Sequence, residues 1–188
     1  MKVSTVLVAA TLLAVPESAL AFSPAELMQL LSEVQSSRVQ FTETRHSAML
    51  KKPLTLSGQL VYRRPDRLEK HVQAPFVETI TIEGSRVTVT RGDKSADRVM
   101  TLPAGSAAQG LIESLRATLA GDLPTLERHF AVAVSGSRSS WSLSLSPRDG
   151  TLPVVRVAFE GTGDRIQKIE VVESGGDRTV TTISDEVR

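Results

Sequence analysis

Apolar and polar residues alternate along most of this chain. In Leu54 to Leu68, reading LTLSGQLVYRRPDRL, Leu54, Leu56, Leu60 and Tyr62 share one parity, while Thr55, Gln59 and Arg63 fall mostly on the other. A period of two marks a half-buried strand with one apolar and one wet face. Gly58 interrupts the apolar face, which predicts a bend or a close backbone approach. Pro65 cannot donate to a ladder, so it ends the strand, Asp66 turns the chain, and Leu68 opens the return.

The same logic recurs on both sides of this stretch. Val39 and Phe41 alternate with Gln40 and Thr42 in a strand reaching towards His46, and Ala48 to Pro53 connects it onward past Lys51 and Lys52. Ile80 and Ile82, the turn Glu83-Gly84-Ser85, then Val87 and Val89 read as a hairpin. A polar turn at Arg91 to Ser95 leads to a shorter strand, Arg98 to Leu102. Later come Phe130 to Val134, Trp141 to Leu145, Val154 to Phe159, Ile166 to Val172 and Thr179 to Ile183, separated by Gly, Pro, Asp and Ser. Trp141, Leu143 and Leu145 alternate with serines, a two-faced strand. Roughly eleven strands at this spacing predict one antiparallel sheet, strongly curled.

Helical spacing breaks in at two places. Ser23-Pro24-Ala25-Glu26 is a helix start: Ser23 caps, Pro24 suits the first turn, and Glu26 completes a capping box. Leu27, Leu30, Leu31 and Val34 follow as one apolar stripe. Mid-chain, Pro103 to Gly105 breaks the sheet and Ser106 caps a second helix. Its stripe is Leu111, Ile112, Leu115 and Leu119, and Gly121 stops it. Leu123 to Arg128 reads as a last helical turn with Pro124 near its start. Helices placed between strand runs must cross a face or an end of the sheet.

Charge and composition narrow the function. Met1 to Ala21 reads as a secretory signal: Lys2, an apolar run from Val3 to Val15, and the small-x-small site Ala19-Leu20-Ala21. Cutting there leaves 22–188 as a single domain that starts at Phe22. With no cysteine, an exported chain rests on its core and hydrogen bonds alone. A net charge of +1 gives no argument for nucleic acid, and 4% aromatics none for stacking platforms. His46, His71 and His129 are scattered, without metal-ligand spacing. Ser135-Gly136-Ser137 reads as a turn between strands, not a nucleophile elbow. Carboxylate pairs such as Glu26 with Glu33 and Asp185 with Glu186 are explained by capping and solvation. No catalytic residue, metal site or cofactor is expected, and the chain reads as a non-enzyme.

An ordered series of short motifs adds a family. Phe41-Thr42-Glu43, Gly58-Gln59-Leu60, Arg64-Pro65, Ala74-Pro75 and Glu83-Gly84 follow one another within residues 38 to 91, where the chain resembles the LolA-type lipoprotein carriers. Leu68 and Val87-Thr88-Val89 stand where that family has aromatic residues, which marks a divergent branch. The resemblance implies an α+β fold: an incomplete, half-open antiparallel β-barrel with the helices as a lid on its concave side. It implies a periplasmic, monomeric carrier of lipid or acylated cargo, loaded by an inner-membrane transporter and unloaded to an outer-membrane receptor. A different class, a periplasmic sensor that binds a lipidated ligand and signals to a membrane partner, is the alternative. The carrier is favoured because the chain ends soon after its last strand. The cavity is expected to take Leu27, Leu31, Leu111 and Leu115 from the helices, and Phe41, Leu56, Leu60, Tyr62, Trp141 and Leu143 from the strands. In the family the arginine before the proline ties the sheet's rim to the lid; here that residue is Arg64. Its fixed donors suit helix-end carbonyls.

Overall fold

The computed structural model describes residues 22–92, 98–103, 107–150 and 152–186. The secretory segment with its cleavage site, Asp93 to Ser95 of the polar turn, Ala104 and Gly105, and the Ser106 cap lie outside the described residues. The chain opens with α1 (Pro24–Ser32), followed by β1 (Ser36–His46), β2 (Leu54–Arg63), β3 (Arg67–Ala74), β4 (Glu78–Glu83), β5 (Arg86–Arg91) and β6 (Arg98–Thr101). Two helices intervene, α2 (Ala107–Ala120) and α3 (Leu123–His129). The sheet then resumes with β7 (Phe130–Ser137), β8 (Ser140–Pro147), β9 (Val154–Thr162), β10 (Arg165–Glu173) and β11 (Arg178–Glu186).

All eleven strands form one antiparallel sheet in the order β6-β5-β4-β3-β2-β1-β11-β10-β9-β8-β7. It is therefore two meanders, β1 to β6 and β7 to β11, joined where β1 pairs with β11. Helices α2 and α3 carry the chain from one edge strand to the other, and the sheet does not close into a barrel. It does curl. β4 and β10 stand five strand spacings apart, about 24 Å if the sheet were flat, yet Ile80, Ile82, Ile166 and Ile169 wall the same cavity.

Cross-strand pairing carries one face through the whole sheet. Val39 faces Leu60, Leu60 faces Lys70 and Lys70 faces Ile80, while on the other side Phe41 faces Ile183. The sheet slips by one residue between Ser57 and Gly58. A Cβ on Gly58 would lie 1.9 Å from the His71 carbonyl oxygen, so the bulge needs glycine there.

The helices pack on only one half of that face. Leu27, Met28 and Leu31 of α1, Ala117 of α2 and Leu126 of α3 close against Phe130, Trp141, Leu143, Leu145, Val157 and Phe159. Each large side chain buried this way contributes about 1.5–3 kcal/mol, so the helix layer is fixed to β7–β9. A smaller cluster, Phe41, Leu56 and Val72, fills the face of β1–β3. Gly121, at φ 70°, ends α2, and a Cβ there would meet the Met28 carbonyl oxygen at 2.1 Å, so glycine also brings α2 against α1.

Three expectations shift. The capping box forms, with Ser23 N–H donating to Glu26 and Glu26 N–H to Ser23 Oγ. Yet α1 stops at Ser32, and Val34 belongs to the connector rather than to the helical stripe. Leu123 starts a separate helix, capped by Asp122, whose Oδ1 accepts the Thr125 N–H at 3.1 Å. Ser135-Gly136-Ser137 is strand, paired with Ser142, Trp141 and Ser140, and the turn falls at Arg138–Ser139. Glycine and serine signalled a turn, but the ladder with β8 continued through them.

Candidate functional site

Because the helices cover the β7–β9 half, the other half of the inner face is left with space above it. A cavity of about 750 Å³ lies there. Its roof is Leu31, the connector from Glu33 to Gln35 with Ser36 and Ser37 at the start of β1, and Leu115 and Leu119 of α2. Its floor is Val39, Leu60, Tyr62, Leu68, Ile80, Ile82, Ile169 and Ile183, all from inward-facing strand positions. Glu33, Glu69, Lys70, Asp164 and Arg165 supply its charges. The volume falls within the ~300–1,000 Å³ of small-molecule sites.

The rim between floor and roof is held by two arginines reaching in opposite directions. Arg64, just past β2, donates from Nε to the Val34 carbonyl at 3.2 Å and from Nη2 to the Ala120 carbonyl at 2.6 Å. Its backbone N–H adds a bond to the Gln35 carbonyl at 3.0 Å. Ala120 is the last residue of α2, where unsatisfied carbonyls and the helix dipole both favour a cation. Arg116 reaches back from α2 to the Gly84 carbonyl at 3.5 Å and to Asp66 at 3.7 Å. Asp66 thus pairs with the helix rather than with its sequence neighbours Arg63 and Arg64. Arg63 itself is exposed.

Tyr62 stands beneath these two arginines, 4% exposed. Among the described residues its hydroxyl and the Arg116 Nε are buried without a hydrogen-bond partner. Burial pushes the phenol's pKa up, partly opposed by Arg64, whose guanidinium approaches the hydroxyl without good hydrogen-bond geometry, and by the charge of Arg116.

Lower on the same face sits a charged cluster that the pattern of the chain does not announce. Glu43, 5% exposed, accepts Lys70 Nζ at 2.5 Å and Thr181 Oγ1 at 3.0 Å on one oxygen, and Arg45 Nε at 2.8 Å on the other. Lys70 Nζ also lies 5.0 Å from the centre of the Phe41 ring. Burial acts to raise the Glu43 pKa, but Lys70 and then Arg45 outweigh it and hold the carboxyl below its usual range. Burial lowers the Lys70 pKa in spite of Glu43.

The residues expected around a cavity therefore separate into three places. Leu31, Leu60, Tyr62 and Leu115 line it. Phe41 and Leu56 form the small cluster beside it, which Leu60 touches. Leu27, Trp141 and Leu143 are sealed in the helix–sheet core, with Leu111 packed against them, because that is where the helices sit down. Leu68, Ile80, Ile82, Ile169 and Ile183 carry inward parity and could have been found by carrying the register across the sheet. Arg116 has no such signal. His71 bonds Glu69 at 2.7 Å, and among the described residues no group of three His, Asp or Glu is placed to hold a metal. Among the same residues no helix is long and apolar enough to cross a membrane.

Comparison with known proteins adds a family. Residues 16–187 match the protein family described as "Outer membrane lipoprotein carrier protein LolA-like". The chain is 28% identical over 157 residues to the outer-membrane lipoprotein carrier protein of Methylibium petroleiphilum, spanning 81% of this chain and 72% of that one. It is also 28% identical over 156 residues to the protein of the same name from Leptothrix cholodnii, spanning 81% and 69%. Among solved structures, a LolA superfamily protein from Nitrosomonas europaea aligns over 90% of this chain and 94% of its own, with a TM-score of 0.48 and 12% identity.

Proposed function

The chain belongs to the LolA-like family of outer membrane lipoprotein carrier proteins, and from that premise we propose that it is a periplasmic carrier that holds acyl chains in the cavity between sheet and helices. The observation that carries the reading is the cavity itself: about 750 Å³, floored by branched aliphatic side chains and roofed by helices latched at the rim. An acyl chain gains about 0.8 kcal/mol per buried methylene, so such a space can hold a lipid tail in water. If a methylene takes about the share of one water molecule, ~30 Å³, there is room for roughly 25 of them. That is one long chain, or two short ones.

A carrier must also close. Left open, the same floor would be an exposed apolar patch inviting aggregation. Arg64 is proposed as the closure, since its two bonds span from the sheet to the connector and to α2. Loading would come from an inner-membrane transporter and delivery would go to an outer-membrane receptor. The bound material could be the acyl chains of a lipoprotein or a lipid alone. A fluorescent fatty-acid displacement assay on residues 22–188 tests the carrier reading, together with mass spectrometry of lipid that copurifies. Saturable displacement by long-chain lipids, one ligand per chain, is expected. A protein that neither binds the probe nor brings lipid with it from the cell is not a carrier.

A further inference from the structure

One wall of the cavity is not aliphatic. Lys70 stands between Leu60 and Ile80 in the register, and all three line the cavity. Its stem is part of the floor, and its side chain keeps 20% exposure. Lys70 is not the only cation on Glu43. Arg45 already holds one of that carboxylate's oxygens and Thr181 the other, so two cations face a single carboxylate. Further along the face, Glu78 adds negative charge near Lys70 but is itself bonded to Arg91 at 2.8 Å. An ammonium has three donors; among the described residues only Glu43 accepts from it. A cation with donors to spare between aliphatic floor residues is costly unless something that enters the cavity meets it.

Resting on the acyl-carrier reading above, we infer that the cavity is built for an acyl chain ending in a carboxylate, with the acid seated on Lys70 and Arg45 adding positive charge behind Glu43. A carboxylate completes the donors of Lys70 and evens the charge of the cluster. A neutral head can do neither. The chain's methylenes would then lie against Leu60, Ile80 and Ile82 towards the roof.

The test compares palmitic acid with hexadecanol, which share chain length and differ in the head, by displacement of a neutral fluorescent probe at pH 8. A charge-assisted contact predicts that the wild-type chain prefers the acid by ~10- to 100-fold. Lys70→Met should abolish that preference by weakening the acid alone. Circular dichroism and retained hexadecanol binding would show that the variant is folded, and Lys70→Arg should keep the preference. Equal wild-type affinity for acid and alcohol overturns the inference, whether or not any variant folds, and leaves the carrier reading standing. A Lys70→Met chain that still prefers the acid as strongly also overturns it. Binding of neither ligand overturns both readings.

Discussion

Replacing Arg64 by Met removes the two side-chain bonds across the rim while keeping the backbone bond to Gln35. A hydrogen bond from a charged donor contributes about 1.5–3 kcal/mol. The gross loss for two is larger than the net one, because the Val34 and Ala120 carbonyls can rehydrate at the rim. A net loss of about 2–3 kcal/mol corresponds to a roughly 30- to 150-fold rise in the open population. Native-state hydrogen exchange reads this directly. The Val34, Gly121 and Asp122 amides bond the carbonyls of Leu31, Thr118 and Ala117 next to the latch. Their protection should fall by that factor, while amides of β8 and β9, beneath the packed core, should not change. Arg63→Met is the control, since Arg63 is exposed and is not one of the residues that bond across the rim among the described residues. Equal loss in both variants, or none in either, would mean that Arg64 bears no strain at the rim, and the closure proposed for it would be withdrawn.

Tyr62→Phe removes a buried hydroxyl that has no well-formed hydrogen bond among the described residues, so it should stabilise the chain by about 1 kcal/mol; a lower midpoint in urea would show that Arg64 satisfies the hydroxyl after all. Ile82→Glu should cut acyl-probe affinity more than tenfold, and Thr81→Glu less than twofold, because the two residues take opposite faces of β4; equal affinities, with circular dichroism showing both folded, would place the cavity on the wrong face. Glu43→Gln should cost about 2–4 kcal/mol at pH 7, since it leaves two cations without their carboxylate. The Glu43 pKa is depressed on folding, so its contribution is present above the unfolded value near 4.5 and fades as the pH falls through the folded one. Urea unfolding from pH 3 to 7 should therefore show a shallower acid limb in the variant, and an identical slope would count against the charged form of Glu43 being the stabilising one.

Where the period of the sequence is strong, the structure follows it. The alternation of Trp141, Leu143 and Leu145 with serines puts all three leucine and tryptophan side chains inside, and the Ser23–Glu26 box starts α1 where its residues say. Parity assigns a face, but it does not say which stretch of that face the helices will occupy. Leu60 and Leu143 look alike in the sequence. One lines the cavity and the other is sealed in the core, because α1 to α3 settle on β7–β9 and not on β1–β4. Val34 fits the helical stripe by spacing, yet Ser36 and Ser37 pair with Arg63 and Tyr62, so the helix must end early enough for the chain to enter the sheet. The contact between Glu43 and Lys70 runs from β1 across β2 to β3 and straddles the slip at Gly58, where counting residues along a regular ladder gives the wrong neighbours.

The placing of the helix layer explains why a cavity exists at all. The two meanders are joined through a single strand pair, β1 with β11, and the helices belong energetically to one of them. Their stripes are spent on Phe130, Leu143, Leu145 and Phe159, and little apolar surface remains for the other half. Across the gap the contacts change character: Arg64 to two carbonyls, Arg116 to a carbonyl and a carboxylate. Dry aliphatic packing gives little way, since a small displacement forfeits many contacts at once. Hydrogen bonds at a rim can be exchanged for water at modest net cost. A sheet fastened to its helices by packing on one side and by arginines on the other can thus open along one seam without melting its core.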